Sequence, residues 1–155
     1  RREGKKMNKK IDELNAKKNK LALGGGDSAI EKQKSIGKLT ARERIDAILD
    51  KNSFDECDMF VRHNVHDFGM EKKELPCDGV ITGTGTINGR PICIYAQDFT
   101  VQGGSLGLMH ARKITKVMDY SLRMRIPCIG INDSGGARIQ EKFPLQRRKH
   151  SFLQL

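Results

Sequence analysis

The fold is decided by residues 126–141, which read Ile126-Pro-Cys-Ile-Gly-Ile-Asn-Asp-Ser-Gly-Gly-Ala-Arg-Ile-Gln-Glu141. The apolar start predicts a buried strand, and Ser134-Gly135-Gly136 predicts a tight turn before helix-compatible residues begin at Ala137. Two adjacent glycines let a ligand approach consecutive backbone N–H groups, and a following helix would direct its positive dipole end there. The stretch could therefore hold an oxyanion at Gly135 and Gly136, although by itself it is more typical of a turn that needs glycine only for tightness.

Other chemistries have less support. Ser134 lacks the Gly-x-Ser-x-Gly elbow of a nucleophile, and the sequence assigns it no general base. His63-Asn-Val-His66 resembles half a metal site without a second pair of ligands. The spacing of the cysteines favours neither zinc nor disulfides, and Cys93 and Cys128, within apolar runs, are expected to be buried. Because neither the histidines nor the cysteines complete a ligand set, we expect no metal. Free thiols suit a reducing compartment, so we expect a cytoplasmic protein.

A β-hairpin and a crossover helix precede the decisive stretch. Two β-rich runs flank Asn88-Gly89, a strong hairpin signal, and the second runs from Pro91 to Ala96. Ser105 is a candidate N-cap for a helix that continues to about Met124. Its predicted buried face consists of Ile114, Val117, Met118, Ser121 and Leu122, with Arg112, Lys113, Lys116 and Arg123 mostly elsewhere.

This order of elements predicts where the ends of the strands meet. The crossover helix is long enough to lay strand 126–131 parallel to strand 92–95. Loop 97–104, with Gly103-Gly104, and turn 133–136, with Gly135-Gly136, would then face one crevice at the carboxyl edge of the sheet.

The N-terminal part reads as helices followed by irregular chain. A basic helix from Asn8 to Leu23 should stop at Gly24-Gly25-Gly26, and a second helix covers about Ser28–Ile36. Thr40 and Glu43 match a capping box that begins a helix ending near Asp50. A strand is expected within 54–61, and 62–78 is loop-like.

The net charge of +10 comes from the two ends of the chain. Residues 1–20 carry a net +6, residues 142–155 carry +4, and the middle is neutral. A basic nucleic-acid-binding module is therefore an alternative, but the middle lacks a basic patch interleaved with aromatic residues. We therefore do not expect nucleic acid as a partner. The sequence also lacks an apolar run long enough to span a bilayer, so we expect no membrane segment.

Five ordered motifs resemble one enzyme family. They are Gly24-Gly25-Gly26, Gly37-Lys-Leu-Thr-Ala-Arg-Glu-Arg-Ile45, Asp67-Phe-Gly-Met70, Gln97-Asp-Phe-Thr-Val101 with Gly103-Gly-Ser-Leu-Gly107, and Asn132-Asp-Ser-Gly-Gly-Ala-Arg-Ile-Gln-Glu141. The chain resembles the β (carboxyltransferase) subunit of biotin-dependent acyl-CoA carboxylases, most closely the propionyl-CoA carboxylase type. This resemblance implies an α/β, crotonase-like fold of ββα units, of which the chain covers only the N-terminal part.

The resemblance also implies a chemistry. Carboxyl transfer between carboxybiotin and a short-chain acyl-CoA would pass through a thioester enolate held by the amides of Gly135 and Gly136. Gly103, Gly104, Ser105, Ala137 and Arg138 would bind the substrate, although Arg138 could instead pair with Glu141. Biotin would sit on a separate carrier protein, the partners would be a biotin carboxyl carrier or biotin carboxylase subunit, and the intact protein would be a homo-oligomer. The α subunit of a biotin-dependent methylmalonyl-CoA decarboxylase shares these motifs, and a mitochondrial matrix location is the alternative to the cytoplasm.

The sequence departs from the family pattern at several places. Gln102, Leu108 and Arg125 replace an aromatic residue, Glu and Gly, respectively, which bears on the acyl pocket and on a local turn. Residues 142–155 match nothing in the family pattern, which suggests a frameshift or truncation, and Arg1 suggests a fragment or a frame opened upstream of Met7. We therefore expect a basic helical segment at 1–23, a partial carboxyltransferase domain at 24–141 and a divergent tail at 142–155, inactive alone.

Overall fold

The computed structural model describes residues 2–65 and 69–141, which form four α-helices and a four-stranded sheet. The elements are α1 (Arg2–Ala22), α2 (Asp27–Ser35), α3 (Ala41–Ile48), β1 (Asp55–Cys57), β2 (Val80–Ile87), β3 (Arg90–Gln97), α4 (Leu108–Met124) and β4 (Cys128–Ile131). Short 3₁₀ turns cover Met70–Lys72, Pro76–Gly79, Gln102–Gly104 and Ile139–Glu141. The predicted tail at 142–155, His66 and the start of the 67–70 motif lie outside the described residues. Within the described ranges, no helix is both long and apolar enough to cross a bilayer.

The sheet has the order β1-β2-β3-β4 and contains the predicted hairpin. β2 and β3 pair antiparallel from Val80 opposite Gln97 to Ile87 opposite Arg90, and Asn88 and Gly89 both have positive φ. The hairpin prediction is confirmed. The strand expected within 54–61 is shorter than predicted, because Asp58 turns the chain at φ 58° after β1.

The predicted parallel pairing of the last two strands is also confirmed. Cys93 lies opposite Cys128 and Ala96 opposite Ile131, with α4 as the crossover between β3 and β4. The helix begins two residues later than predicted, since Gly107 and not Ser105 is its N-cap. Gly107 offers no side chain to the first amides of α4, so these amides must find partners elsewhere.

One face of the sheet packs on α3. Ala41, Ile45 and Leu49 form a cluster with Ile81, Ile92, Ile94 and Ala96. The capping box that begins α3 is present as predicted: the amide of Glu43 donates to Thr40 Oγ1 at 3.3 Å, and the amide of Thr40 donates to Glu43 Oε2 at 2.9 Å. α3 is thus a fixed support beneath the sheet.

The other face packs on α4, whose buried side differs from the prediction. The buried residues are His110, Lys113, Val117 and Ser121, whereas Met118 is 47% exposed and Leu122 is 75% exposed. Lys113 is buried because its ammonium donates to the carbonyls of Cys77, at 2.8 Å, and Val80. The predicted face is thus correct for Val117 and Ser121 and wrong for Met118 and Leu122, because the buried side is rotated towards His110 and Lys113.

β4 lies at the edge of the sheet, which accounts for one further correction. Cys93 is buried as predicted, but Cys128 is exposed because β4 pairs only with β3 among the described strands. Before β4, Arg125 ends α4 in the left-handed conformation, with φ 56° and ψ 41°. A residue with a side chain is strained in this conformation by roughly 1–2 kcal/mol relative to glycine. The turn therefore forms at Arg125 in spite of that strain.

Candidate active site

Two glycine-bearing loops meet at the carboxyl edge of the sheet, as the topology predicts. The amide of Gly135 donates to the carbonyl of Gly103 at 2.8 Å, and the amide of Leu106 donates to Gly136 at 2.8 Å. The amide of Arg138 then donates back to Leu106 at 2.9 Å, and Leu106 and Ala137 form a parallel bridge. The loops therefore contact each other directly and form a short ladder, with no crevice between them.

This ladder changes the prediction for the segment after the turn. Ala137 was expected to begin a helix, but the chain stays extended until the 3₁₀ turn at Ile139–Glu141. No α-helix therefore follows the turn within the described residues, and a helix dipole does not act there. The site depends on individual amide groups.

The turn itself is open to solvent. Ser134, Gly135, Gly136 and Ala137 are all exposed, and a side chain built on Gly136 would meet no atom within 4 Å. Gly136 has φ 125°, a conformation that favours glycine. On the inner side, Gly104 packs so closely on the carbonyl of Asp133 that a Cβ atom would collide with it. One side of the turn is thus closely packed and the other is free for a ligand.

The amides of the turn differ in what they bind. The Gly135 amide is taken up by Gly103, so it cannot donate to an oxyanion while the two loops remain joined. The Gly136 amide donates to Ser134 Oγ at 3.1 Å, a partner that can rotate away. The Ala137 amide has no hydrogen-bond partner among residues 2–65 and 69–141. In this extended segment successive amides face opposite sides, so the Ala137 amide faces away from Leu106, which accepts from the amide of Arg138. The available donors are therefore Gly136 and Ala137.

Ser134 has no catalytic partner in the described part of the chain. Its hydroxyl contacts only the backbone of Gly136, donating to the carbonyl at 3.2 Å and accepting from the amide. Neither histidine nor carboxylate bonds to it within the described residues. The arrangement is that of a local turn and lacks the base that a nucleophilic serine needs.

Arg138 pairs with buried carboxylates. Its side chain is 0% exposed, and Nη1 lies 2.6 Å from Asp78 Oδ1 and 2.6 Å from Glu141 Oε1. Nη2 donates to the carbonyl of Ser105 at 3.1 Å. Of the two roles considered from the sequence, pairing with Glu141 is therefore the one observed, and direct contact of Arg138 with a ligand does not fit its burial.

The two carboxylates explain how α4 begins without a local cap. Glu141 Oε2 accepts from the amide of Leu108, and Asp78 Oδ2 accepts from the amide of His110 at 2.8 Å. Negative groups are favoured at a helix N-terminus, both as acceptors and through the helix dipole. Burial raises the pKa of Asp78, and the Arg138 guanidinium opposes this shift. The cluster thus links α4 to the segment after the turn.

His110 connects this cluster to the turn. Its Nδ1 lies 2.9 Å from the carbonyl of Asp78, and its Nε2 lies 3.2 Å from Gln97 Nε2, while Gln97 Oε1 accepts from the amide of Asp133 at 3.2 Å. Sequence reasoning missed His110, Lys113 and Asp78 because they are polar residues in a presumed loop and on a presumed solvent face. The spacing of His110, Lys113, Val117 and Ser121 on one helical face was the only signal available.

The burial of His110 makes stability depend on pH. Burial lowers the pKa of His110 from 6.5 to about 4, so in this window the unfolded chain binds more protons than the folded chain. Stability should therefore be complete above about pH 6.5 and should fall as the pH falls towards 4. Thermal unfolding should show this slope, and His110→Gln should flatten it. His63→Gln changes a histidine outside the cluster and should leave the slope in place; equal slopes in all three proteins would contradict the assignment.

Ser105, Gly103 and Gly104 lie beside the turn. Gly104 is buried, Gly103 and Ser105 are partly buried, and Ser105 Oγ has no partner among the described residues. Arg138 Nε is also buried without a partner there. Within residues 2–65 and 69–141, no group of three or more His, Cys, Asp or Glu side chains is arranged to hold a metal ion.

The chain is similar in sequence to known proteins. A sequence model described as "Carboxyl transferase domain" matches residues 32–149. Methylmalonyl-CoA decarboxylase subunit alpha of Veillonella parvula is 56% identical over 135 residues, which cover 87% of this chain and 26% of that protein. The propionyl-CoA carboxylase beta chain of Cereibacter sphaeroides is 54% identical over 131 residues, covering 84% of this chain and 26% of that protein.

The structural comparison agrees. The crystal structure of transcarboxylase 12S with methylmalonyl-coenzyme A and methylmalonic acid bound matches with a TM-score of 0.88 and 43% identity, over 93% of this chain and 28% of that one. The chain thus spans about a quarter of the length of these relatives. The predicted crotonase-like α/β fold is confirmed, with a partial sheet in this chain. The chain belongs to the carboxyl transferase family and has part of the crotonase-like α/β fold of its biotin-dependent acyl-CoA carboxyltransferases.

Proposed function

We propose that the complete protein transfers a carboxyl group between biotin on a separate carrier protein and a short-chain acyl-CoA of the propionyl-CoA and methylmalonyl-CoA type. The relatives named for these two substrates are 54% and 56% identical to the chain. The observation that carries the proposal is the exposed turn at the carboxyl edge of the sheet, where the Ala137 amide has no partner among the described residues and the Gly136 amide donates only to the Ser134 hydroxyl. Its role is to hold the oxygen of a thioester enolate.

The donors are the amides of Gly136 and Ala137. The sequence suggested Gly135 and Gly136, but Gly135 already donates to Gly103 at 2.8 Å. Gly135 instead fixes the turn against the neighbouring loop, and the next two amides are left for the ligand. Fixed donors of this kind stabilise developing negative charge without reorganising during the reaction.

The described side chains near the turn contribute positioning and charge balance. Asp133, Arg138 and Glu141 are engaged in ion pairs, so none of them is free to act as a base. Carboxybiotin, when bound, supplies the carboxyl group. The space beside Gly136 is open, since a Cβ atom built there would meet no atom within 4 Å.

The remaining predicted substrate residues fall into two groups. Gly103, Gly104 and Ser105 form the loop behind the turn, so we assign them to the wall of the acyl-CoA site. Arg138 acts from within the fold by holding the segment after the turn through Asp78 and Glu141. Water must be excluded by parts of the protein beyond the described residues, because Ser134–Ala137 are exposed here.

A biotin-dependent methylmalonyl-CoA decarboxylase is the second candidate. It is supported by the 56% identity to the Veillonella parvula subunit. Both reactions use the same enolate at the same turn, so the substrate class is common to them. An assay for ATP-dependent carboxylation of propionyl-CoA with the partner subunits separates the two.

The partners follow from the same proposal. We expect a biotin carboxyl carrier or biotin carboxylase subunit and a homo-oligomer, because the transcarboxylase 12S structure is described as a hexamer assembly. We place the protein in the cytoplasm, with the mitochondrial matrix as the alternative, since one relative is the mitochondrial chain of Rattus norvegicus.

Removal of the Ser134 hydroxyl tests the enolate mechanism against a nucleophilic serine. In the complete subunit, Ser134→Ala should retain carboxylation of propionyl-CoA, or raise it, because the Gly136 amide loses its competing partner. Ser35→Ala is a matched control, since the Ser35 hydroxyl also donates to a nearby carbonyl, that of Lys32 at 2.9 Å, within α2. Loss of nearly all activity in Ser134→Ala alone would show that the serine itself reacts.

A further inference from the structure

The carboxylate of Asp133, directly before the turn, is bound by side chains from a distant part of the chain. Asp133 Oδ2 lies 2.7 Å from Arg44 Nη2, and Oδ1 lies 3.2 Å from Lys38 Nζ. Gln33 Nε2 lies 3.4 Å from Oδ2. Burial raises the pKa of the Asp133 carboxyl, but the hydrogen bonds from Arg44 and Lys38 outweigh burial and lower it. Asp133 is therefore held as an anion by the α2–α3 region.

One of the two cations on Asp133, Arg44, comes from a rigid support. Arg44 lies on α3 next to Ile45, which is 0% exposed in the core. The capping box of Thr40 and Glu43 fixes the start of the same helix. The position of Arg44 is thus set by packing that does not involve the turn.

The backbone of Asp133 is fixed as well as its side chain. Its amide donates to Gln97 Oε1 at 3.2 Å, and its carbonyl lies against Gly104. On the other side of the turn, Arg138 is held by two buried carboxylates. The four exposed residues 134–137 therefore lie between two anchors, one bound by cations and one by anions.

We propose that Asp133 and Arg44 form a positioning pair that fixes the orientation of the Gly136 and Ala137 amides. This inference rests on the proposed function of the turn. An oxyanion site gains its effect from donors that are oriented before the charge develops, so a turn anchored at one end only would lose rate and keep its fold. Neither Asp133 nor Arg44 touches the reacting atoms in this arrangement.

The chain contains a matched control for a merely structural ion pair. Arg42 lies two positions before Arg44 and binds Glu56 through two contacts of 2.7 and 3.0 Å. The side chains of this pair are 25% and 12% exposed, and those of Arg44 and Asp133 are 20% and 11% exposed. Arg42→Gln therefore removes a similar pair on the same helix without changing the anchor of the turn.

The test compares Arg44→Gln, Asp133→Asn, their double variant and Arg42→Gln. In the complete subunit with its biotin carrier, we expect Arg44→Gln and Asp133→Asn to lower kcat by about 10–100-fold with little change in KM for propionyl-CoA. The double variant should be no worse than Asp133→Asn alone, because each single variant already removes the Arg44–Asp133 ion pair. Arg44→Lys keeps the charge and should recover part of kcat. Arg42→Gln should leave kcat near that of the parent.

Amide hydrogen exchange of residues 134–137, measured without ligand, distinguishes failure of this inference from failure of the proposed function. Faster exchange there in Arg44→Gln, but not in Arg42→Gln, supports the positioning pair even if the turn turns out not to bind acyl-CoA. If exchange is unchanged and both arginine variants lower kcat equally, the pair is only structural and the inference is overturned. If Asp133→Asn fails to fold, Arg44→Gln and Arg44→Lys still decide between these outcomes.

Discussion

Replacing Arg138 with methionine should lower the free energy of unfolding by about 3–5 kcal/mol, the usual cost of breaking a buried ion pair on one side. The guanidinium balances both Asp78 and Glu141, which accept from the first amides of α4. Without the guanidinium, the two buried carboxylates would repel each other, and only the amides at the start of α4 would remain as their partners. Chemical denaturation of the purified chain and the Arg138→Met variant measures the difference.

An exposed ion pair on α4 provides the control. Lys116 Nζ lies 2.8 Å from Asp58 Oδ1, but the Lys116 side chain is 64% exposed. Lys116→Met should change the free energy of unfolding by no more than about 1 kcal/mol, because solvent screens such pairs. If Arg138→Met costs no more than Lys116→Met, the buried cluster does not support the fold as described. Adding Glu141→Gln to Arg138→Met should recover part of the loss.

The second large effect is expected at Ala137. Proline at this position removes one N–H group, and that group bonds to nothing else among the described residues. In the complete subunit, Ala137→Pro should lower kcat for carboxylation of propionyl-CoA by about 10²–10³-fold, the typical cost of one oxyanion donor. KM should change little, because the enolate oxygen carries more charge than the thioester oxygen.

The control for proline replaces the amide at 137 by an ester, using lactic acid in place of alanine. The ester also lacks the N–H group but does not restrict the backbone, so it should lower kcat to a similar extent. A large loss with proline and none with the ester would mean that backbone distortion caused the effect. Thermal unfolding of both variants should stay close to that of the parent, since the core packs elsewhere.

The local parts of the fold could be predicted from the sequence. Asn88-Gly89 specifies its own turn, and Thr40 with Glu43 specifies the start of α3, because the interacting groups are neighbours in the chain. The parallel pairing of β3 and β4 followed from the length of the crossover helix. These predictions need only short-range chemistry and chain geometry.

The parts that failed depend on distant partners. The buried face of α4 was only partly predicted: Val117 and Ser121 are buried, but so is Lys113, which donates to the carbonyls of Cys77 and Val80 in a way that no helical pattern reveals. The donors at the turn stay a prediction, but the bond from the Gly135 amide to the carbonyl of Gly103, 32 positions earlier in the sequence, could not be predicted either. The glycine pair located the turn correctly, but the ladder between the loops decides which amides remain available. Arg138 was left undecided for the same reason, since Asp78 lay in a stretch without a readable pattern.

The most direct test of the enolate site is the infrared carbonyl band of propionyl-CoA, labelled with carbon-13 at the thioester and bound to the complete subunit. Hydrogen bonds from Gly136 and Ala137 should shift this band to lower frequency than in water, and Ala137→Pro should reverse part of the shift. A band that has the same frequency in the parent and in Ala137→Pro would mean that the thioester oxygen does not bind to these amides, which would contradict the proposed role of the turn.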